Sequence, residues 1–120
     1  MKERPRTVVR SQAMYDKYVQ YKETAPEGCP LCKADPIKEY KYWKLIPNDF
    51  PYDVIAQEHC MLIPKDHTGF FKDLSEAAKS EYYALLKKLD HFDSLFNNFQ
   101  KNQTIPEHFH VHLITYKLAQ

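Results

Sequence analysis

Near the end of the chain stands PEHFHVHLITYK, in which His108, His110 and His112 alternate with Phe109, Val111 and Leu113. Successive side chains of a β-strand point to opposite faces, so in an extended segment the three imidazoles share one face and the apolar residues the other. Neighbouring histidines then have backbone origins about 6.6 Å apart, twice the ~3.3 Å rise per strand residue, close enough to act on one small ligand. A helix would scatter them. A single histidine on a half-buried strand is ordinarily a polar position of the sheet, but three in strict alternation, among six in the protein, point to chemistry. A neutral imidazole is a good nucleophile towards phosphorus and, with a pKa near neutral, needs little activation. It acts so only if one ring nitrogen is a free acceptor while the other keeps its proton in a hydrogen bond, for which a strand offers backbone carbonyls.

Cys29 and Cys32, in GCPLCK, form a second constellation. Their spacing lets both thiolates bind one metal from a tight turn, and it equally suits a redox pair; a zinc site needs two further ligands. Cys60 lies beside His59 in the apolar run EHCMLIP and reads as a small core residue. Three cysteines, few and odd in number, argue against a disulfide scaffold.

A chain of 120 residues, 43% of them hydrophobic, has room for one domain and a modest core. Seventeen Lys and Arg against sixteen Asp and Glu give a net charge of +1, which excludes a protein built to coat nucleic acid or an anionic membrane and leaves room for a small anionic ligand. No stretch approaches the ~20 apolar residues of a membrane span, and MKERPRTVVR lacks the apolar run of a signal peptide, so a cytoplasmic location is expected. SQAMYDKYVQYKET predicts an N-terminal helix capped by Ser11, with Met14, Tyr15, Tyr18, Val19 and Tyr21 as its packing stripe. APEGCPLCKADP is a turn region. EYKYWKLIP and EHCMLIP predict two strands, able to pair as a hairpin across the loop NDFPYDVIAQ. DLSEAAKSEYYALLKKL predicts the best helix, with Asp73 or Ser75 as cap, Glu76 in its first turn and a Lys-rich end. SLFNNF predicts a strand, QKNQTIPE a polar loop and HFHVHLITYK the last strand. The fold class expected is α+β, an antiparallel sheet of about four to five strands with packed helices.

In this order the segments resemble the histidine triad (HIT) superfamily, whose signature, His-x-His-x-His with apolar residues between and after, stands here as HFHVHLI. HCMLIPKDH followed by FFKDLSEAA is similar to the family's second conserved stretch, and NDFPY to its nucleoside-side loop. The resemblance covers residues 28 to 116, and it implies a HIT-like domain over 28–120 behind an N-terminal extension, residues 1–27, that carries a helix. It further implies a homodimer and a nucleotide substrate, while the near-zero net charge and the lack of an apolar span lead us to expect no nucleic-acid and no membrane partner. His110 would attack the α-phosphorus to give a nucleotidyl-histidine intermediate that water hydrolyses, His112 would donate to the phosphoryl oxygens or the leaving group, and His59 would complete the cluster. Asn48, Phe50 and Tyr52 would meet ribose or base, Gln103 and Thr104 the phosphate or leaving group, and Asn98 the pocket edge. In one branch of the superfamily a structural zinc is bound at the positions that are Cys29, Cys32, His67 and His108 here, a closed four-ligand set.

The chain departs from this pattern in two places. The family's Gly-Gln-Ser/Thr stretch reads NQTIPEH, with Asn102, a residue tolerant of left-handed backbone angles, in the glycine place and an extra residue, Glu107 or Pro106, before His108. The segment from Asn48 to His59 is about three residues longer than usual, and Pro-Gly-His is replaced by AQEH. A histidine at position 112, where transferases of the superfamily carry glutamine, favours hydrolysis of a nucleotidyl phosphoramidate, a dinucleoside polyphosphate or a related ester. Nucleotidyl transfer to a sugar phosphate is the alternative within enzymes, and a non-catalytic nucleotide- or partner-binding module with structural zinc is the alternative outside them.

Overall fold

The computed structural model describes residues 8–119; of the N-terminal extension, residues 1–7 lie outside them. Helix α1 spans Gln12–Thr24, and Ser11 caps it by accepting the Met14 N–H, as its sequence predicts. No α1 residue is buried, and the helix docks through the Tyr18 and Tyr21 rings, 5.3 and 5.0 Å from that of Phe50. The segment before it is stitched to the loop at 50–54 by four bonds. The Val9 carbonyl accepts from Val54 N–H (3.1 Å), Arg10 Nε donates to Phe50 O (2.8 Å), and Ser11 donates its N–H (2.7 Å) and hydroxyl (2.5 Å) to the Asp53 carboxylate.

A one-turn helix α2, Pro30–Lys33, follows Gly28, whose φ of 97° is the only positive value among the described residues. Then come strands β1 (Lys38–Glu39), β2 (Trp43–Pro47) and β3 (Ala56–Pro64), helix α3 (Glu76–Lys88), and strands β4 (Ser94–Phe96) and β5 (Val111–Tyr116). They form one antiparallel five-stranded sheet in the order β1-β2-β3-β5-β4. The long loop before His59 is absorbed by a turn and by a bulge between Ala56 and Glu58 where β3 meets β5.

Alternation along the strands decides what each face buries. Trp43, Leu45, Cys60, Leu62, Val111 and Leu113 pack with Phe109 against Leu74, Ala78, Tyr82 and Leu85 of the α3 layer. Ser75 caps α3 by accepting the Ala78 N–H, and Trp43 Nε1 donates to the Ala78 carbonyl (2.7 Å). The opposite face carries Ile46, Met61 and Ile63 under Leu31 of α2, and on it lie the histidines. Residues 59–64 of β3 are therefore buried throughout, which is why EHCMLIP reads as a continuous apolar run and not as an alternating one. The ladder of β5 begins only at Val111, so His108 and His110 lie on extended chain ahead of the strand expected to include them.

Candidate functional site

Two clusters share the histidine face. In the first, the ligand atoms of Cys29, Cys32, His67 and His108 all lie within 4.8 Å of one another. His108 Nδ1 is 3.5 Å from Cys29 Sγ and 3.4 Å from Cys32 Sγ, and His67 Nδ1 is 3.2 Å from Cys32 Sγ. A tetrahedral metal with bonds of about 2.3 Å to sulfur and about 2.05 Å to nitrogen sets its S···N edges at roughly 3.5 Å, so these separations fit one ion. The tautomer fits as well: His108 Nε2 donates to the Pro64 carbonyl at 2.8 Å, which leaves Nδ1 as the lone-pair nitrogen facing the sulfurs. The set could bind a metal and, with four N/S donors, leaves no open position.

The site is assembled from three distant segments. Gly28 permits the turn that presents Cys29, α2 brings round Cys32, and Lys44 Nζ donates to the Ala34 carbonyl just beyond α2 at 2.9 Å. On the other side the loop before His108 lies so close to Gly69 that a Cβ there would come within 2.6 Å of the Pro106 carbonyl oxygen. The extra residue expected near Pro106 is taken up by a turn closed between Ile105 O and His108 N–H (3.4 Å).

The second cluster is His59, His110 and His112, all buried. Its hydrogen bonds dictate which nitrogens carry protons. His110 Nδ1 donates to the His108 carbonyl (2.9 Å), leaving Nε2 with its lone pair. The Tyr52 N–H donates to His59 Nδ1 (2.9 Å), so His59 carries its proton on Nε2 and donates it to His112 Nδ1, also at 2.9 Å. His112 must then present Nε2–H. A backbone amide thus sets two side-chain tautomers in succession. Burial pushes the His110 pKa down. It also holds His59 down to about 4, helped by the Arg10 charge, and depresses His112 further, helped by His110, His59 and Arg10. All three rings are neutral at pH 7.

His110 and His112 border two connected hollows. The larger, about 330 Å³, takes in Tyr52, Asn98, Gln103 and Thr104, with no acidic residue among the described residues of its lining. The smaller, about 110 Å³, is lined by apolar groups including Leu31 and Ile46, by Asn48, Asp49 and Phe50, and by Tyr18 and Tyr21 of α1. Tyr52 is mainly a wall of the histidine cluster, with its ring 4.6 Å from that of His59 and 5.1 Å from that of His112, and its hydroxyl accepts from Asn98 Nδ2 (3.1 Å). His59 lines neither hollow and supports His112 from behind. Gln103 Nε2 donates to the Asn98 carbonyl (2.9 Å), and its Oε1 is buried without a partner among the described residues. Asn102 does not take a left-handed, glycine-like turn: it closes a 3-10 turn, Gln100–Asn102, at negative φ.

Arg10 and Tyr18 border the site and carry no motif in the sequence, while Asp49 borders it from within NDFPY. Arg10 lies about 100 positions from His110, in a charged run indistinguishable from a solvated one.

This fold, a five-stranded antiparallel sheet with helices packed on it, is shared with solved structures of histidine triad proteins. The solved structures similar to it include a HIT family hydrolase from Legionella pneumophila Philadelphia 1, with a TM-score of 0.57 and 19% identity over 78% of this chain and 96% of that one. A HIT family hydrolase from Clostridium thermocellum matches at 0.57 and 22% identity (76% and 92% covered), and a histidine triad protein from Clostridium difficile at 0.55 and 19% (77% and 92%). No protein-family model and no curated protein matches the sequence.

Proposed function

We propose that the protein is a HIT-type nucleotide hydrolase acting at the α-phosphorus of a nucleotidyl phosphoramidate, a dinucleoside polyphosphate or a related ester. The observation that carries this reading is the complementary pair of neutral rings: His110 with a free lone pair on Nε2, and His112 with its proton on Nε2. A nucleophile and a hydrogen-bond donor are what in-line substitution at phosphorus requires of side chains. His110 Nε2 forms a bond to phosphorus as the bond to the leaving group breaks, while His112 Nε2–H donates to a phosphoryl oxygen or the departing atom. Water then attacks phosphorus, the P–N bond breaks, and one proton of the water goes to solvent. The smaller hollow, with its aromatic rings, suits the nucleoside, and the larger, with Asn98, Gln103 and Thr104 in its lining, the leaving group. The Cys29, Cys32, His67 and His108 set is read as a structural zinc site that supplies no step of the reaction and fixes the chain immediately before His110. A homodimeric assembly and a cytoplasmic location belong to the same reading.

One observation favours the non-catalytic alternative: the 3-10 turn at Asn102 offers no glycine cradle for phosphate. Incubation with adenosine and guanosine phosphoramidates and dinucleoside polyphosphates decides between them, with nucleoside monophosphate release as the readout. The hydrolase releases monophosphate, and His110→Asn does not. A flat response across the panel overturns the proposal in favour of a binding module.

A further inference from the structure

We propose that α1 is a lid over the nucleoside hollow, with Tyr21 as the ring that covers the base and Tyr18 as the anchor that positions it. This inference rests on the nucleotide site of the proposed hydrolase. A stripe of aromatic and apolar residues along a helix ordinarily packs into a core. Met14, Tyr18 and Tyr21 lie on one such stripe, four and three residues apart, yet no residue of α1 is buried. Two rings of the stripe border the site instead. Tyr18 and Tyr21 line the smaller hollow together with His110 and His112, and α2 and the sheet contribute Leu31, Ile46 and Met61 to the same lining.

The two tyrosines are held differently. Tyr18 meets the Phe50 ring edge-on at 5.3 Å, with 68° between the planes, and the cationic groups of Arg10 and Lys22 each lie 5.5 Å from its ring centre. These neighbours fix it in place. Tyr21 leans on Phe50 at 5.0 Å and 45°, and 37% of it stays exposed, so its ring keeps apolar surface that a planar base can cover. Size points the same way. The smaller hollow holds about 110 Å³, well under the roughly 300 Å³ at which small-molecule sites begin, so a nucleoside enters only if a wall gives. The wall able to give is α1: a helix of 13 residues is marginal alone, and this one is docked through the bonds from Ser11 to Asp53 at its start and through its rings on Phe50. A base lodged under Tyr21 holds α1 down, so binding and closure stabilise each other.

Calorimetric titration of the full chain with AMP and with ribose 5-phosphate, which lacks the base, tests the contact. Replacing a base-stacking ring by alanine weakens binding about fivefold to a hundredfold. Tyr21→Ala should lose that much for AMP and less than about twofold for ribose 5-phosphate, and Tyr21→Phe, which keeps the ring, should bind AMP as wild type does. Tyr18→Ala should show the same selective loss through the misplaced lid, with Tyr18→Phe restoring it. Unchanged AMP affinity in Tyr21→Ala, equal losses for the two ligands, or a wild type that binds AMP no tighter than ribose 5-phosphate would each overturn the assignment. Since α1 buries no residue, Tyr21→Ala should melt close to wild type; should it melt early, Tyr21→Leu, which keeps apolar bulk without the ring, carries the same comparison. Amide hydrogen exchange over residues 12–24 reads the lid directly. AMP should slow it and ribose 5-phosphate should not; exchange that AMP leaves unchanged, or that both ligands slow equally, overturns closure on the base. A protein that binds AMP through Tyr21 and hydrolyses nothing refutes the hydrolase while upholding the lid.

Discussion

His59 never reaches the hollows, yet the state of the cluster passes through it. Its Nδ1 is occupied by the Tyr52 amide and its Nε2–H by His112, so protonating it would force a donor against a donor in a buried place. Its pKa is held down to about 4, against 6.5 for a free histidine, by burial and then by the Arg10 charge. Between these values the unfolded chain binds the proton and the folded one does not, so stability is full above about pH 6.5 and falls as the pH drops towards 4, by on the order of 3 kcal/mol from this group. Urea midpoints measured from pH 7 to 4 should fall less steeply in His59→Asn than in wild type; parallel curves would rule His59 out as the source. For catalysis the ranking differs. His110→Ala should abolish turnover and leave fold and metal content intact, because its ring lies outside the metal cluster. Replacing His112 should cost about 10²- to 10³-fold, the usual loss on removing a donor to developing charge. Near-normal hydrolysis by His110→Ala would end the nucleotidyl-histidine mechanism.

At the scale of elements, the loop before the histidines and the loop after β3 depend on each other. Phe109 N–H donates to the Thr68 carbonyl at 2.6 Å, and Gly69 leaves room for the Pro106 carbonyl. Gly69→Ala should therefore displace backbone, at a cost of about 1–3 kcal/mol, and should loosen the metal cluster because His67 and His108 flank the contact. Urea unfolding and metal content of the purified variant read the two effects, and a variant equal to wild type in both would show that the loops move apart freely. This contact was illegible in the sequence, where the glycine in DHTGFF looks like any turn glycine. What was legible had local causes. The period-2 pattern around His110, the cap at Ser75 and the cysteine spacing each follow from rules that act within a few residues. Arg10, Tyr18 and the 3-10 turn at Asn102 depend on where distant segments come to rest, and the left-handed tolerance of Asn said nothing about whether the turn would use it.

Across the whole molecule, the metal cluster is where segments far apart in sequence meet: the turn after α1, the loop after β3 and the approach to β5. Those segments also meet through the Phe109 N–H to Thr68 carbonyl bond and through Leu31 on Ile46, Met61 and Ile63. Cys32 and His67 are exposed, and α2, only four residues long, buries Leu31 alone. A helix of one turn has no stability of its own; Leu31 packs it on Ile46, Met61 and Ile63, Lys44 ties down the Ala34 carbonyl beyond it, and a bound metal would add to these contacts. About one zinc per chain is expected in protein purified without chelator, and its removal should lower the melting temperature by more than about 10 °C. Cys32→Ser and His108→Ala should reproduce the loss, and His108→Ala should also disturb turnover, since loosening this segment would shift the backbone carbonyl of residue 108, which accepts the His110 Nδ1–H and so leaves Nε2 with its lone pair. Chelation should then lower activity in step with unfolding of α2 and not abolish it in a still-folded protein, because no step of the reaction runs through the metal. Rapid loss of turnover while the melting curve stays unchanged would place the metal in the chemistry and contradict its structural role; elemental analysis that finds no metal would remove the site altogether.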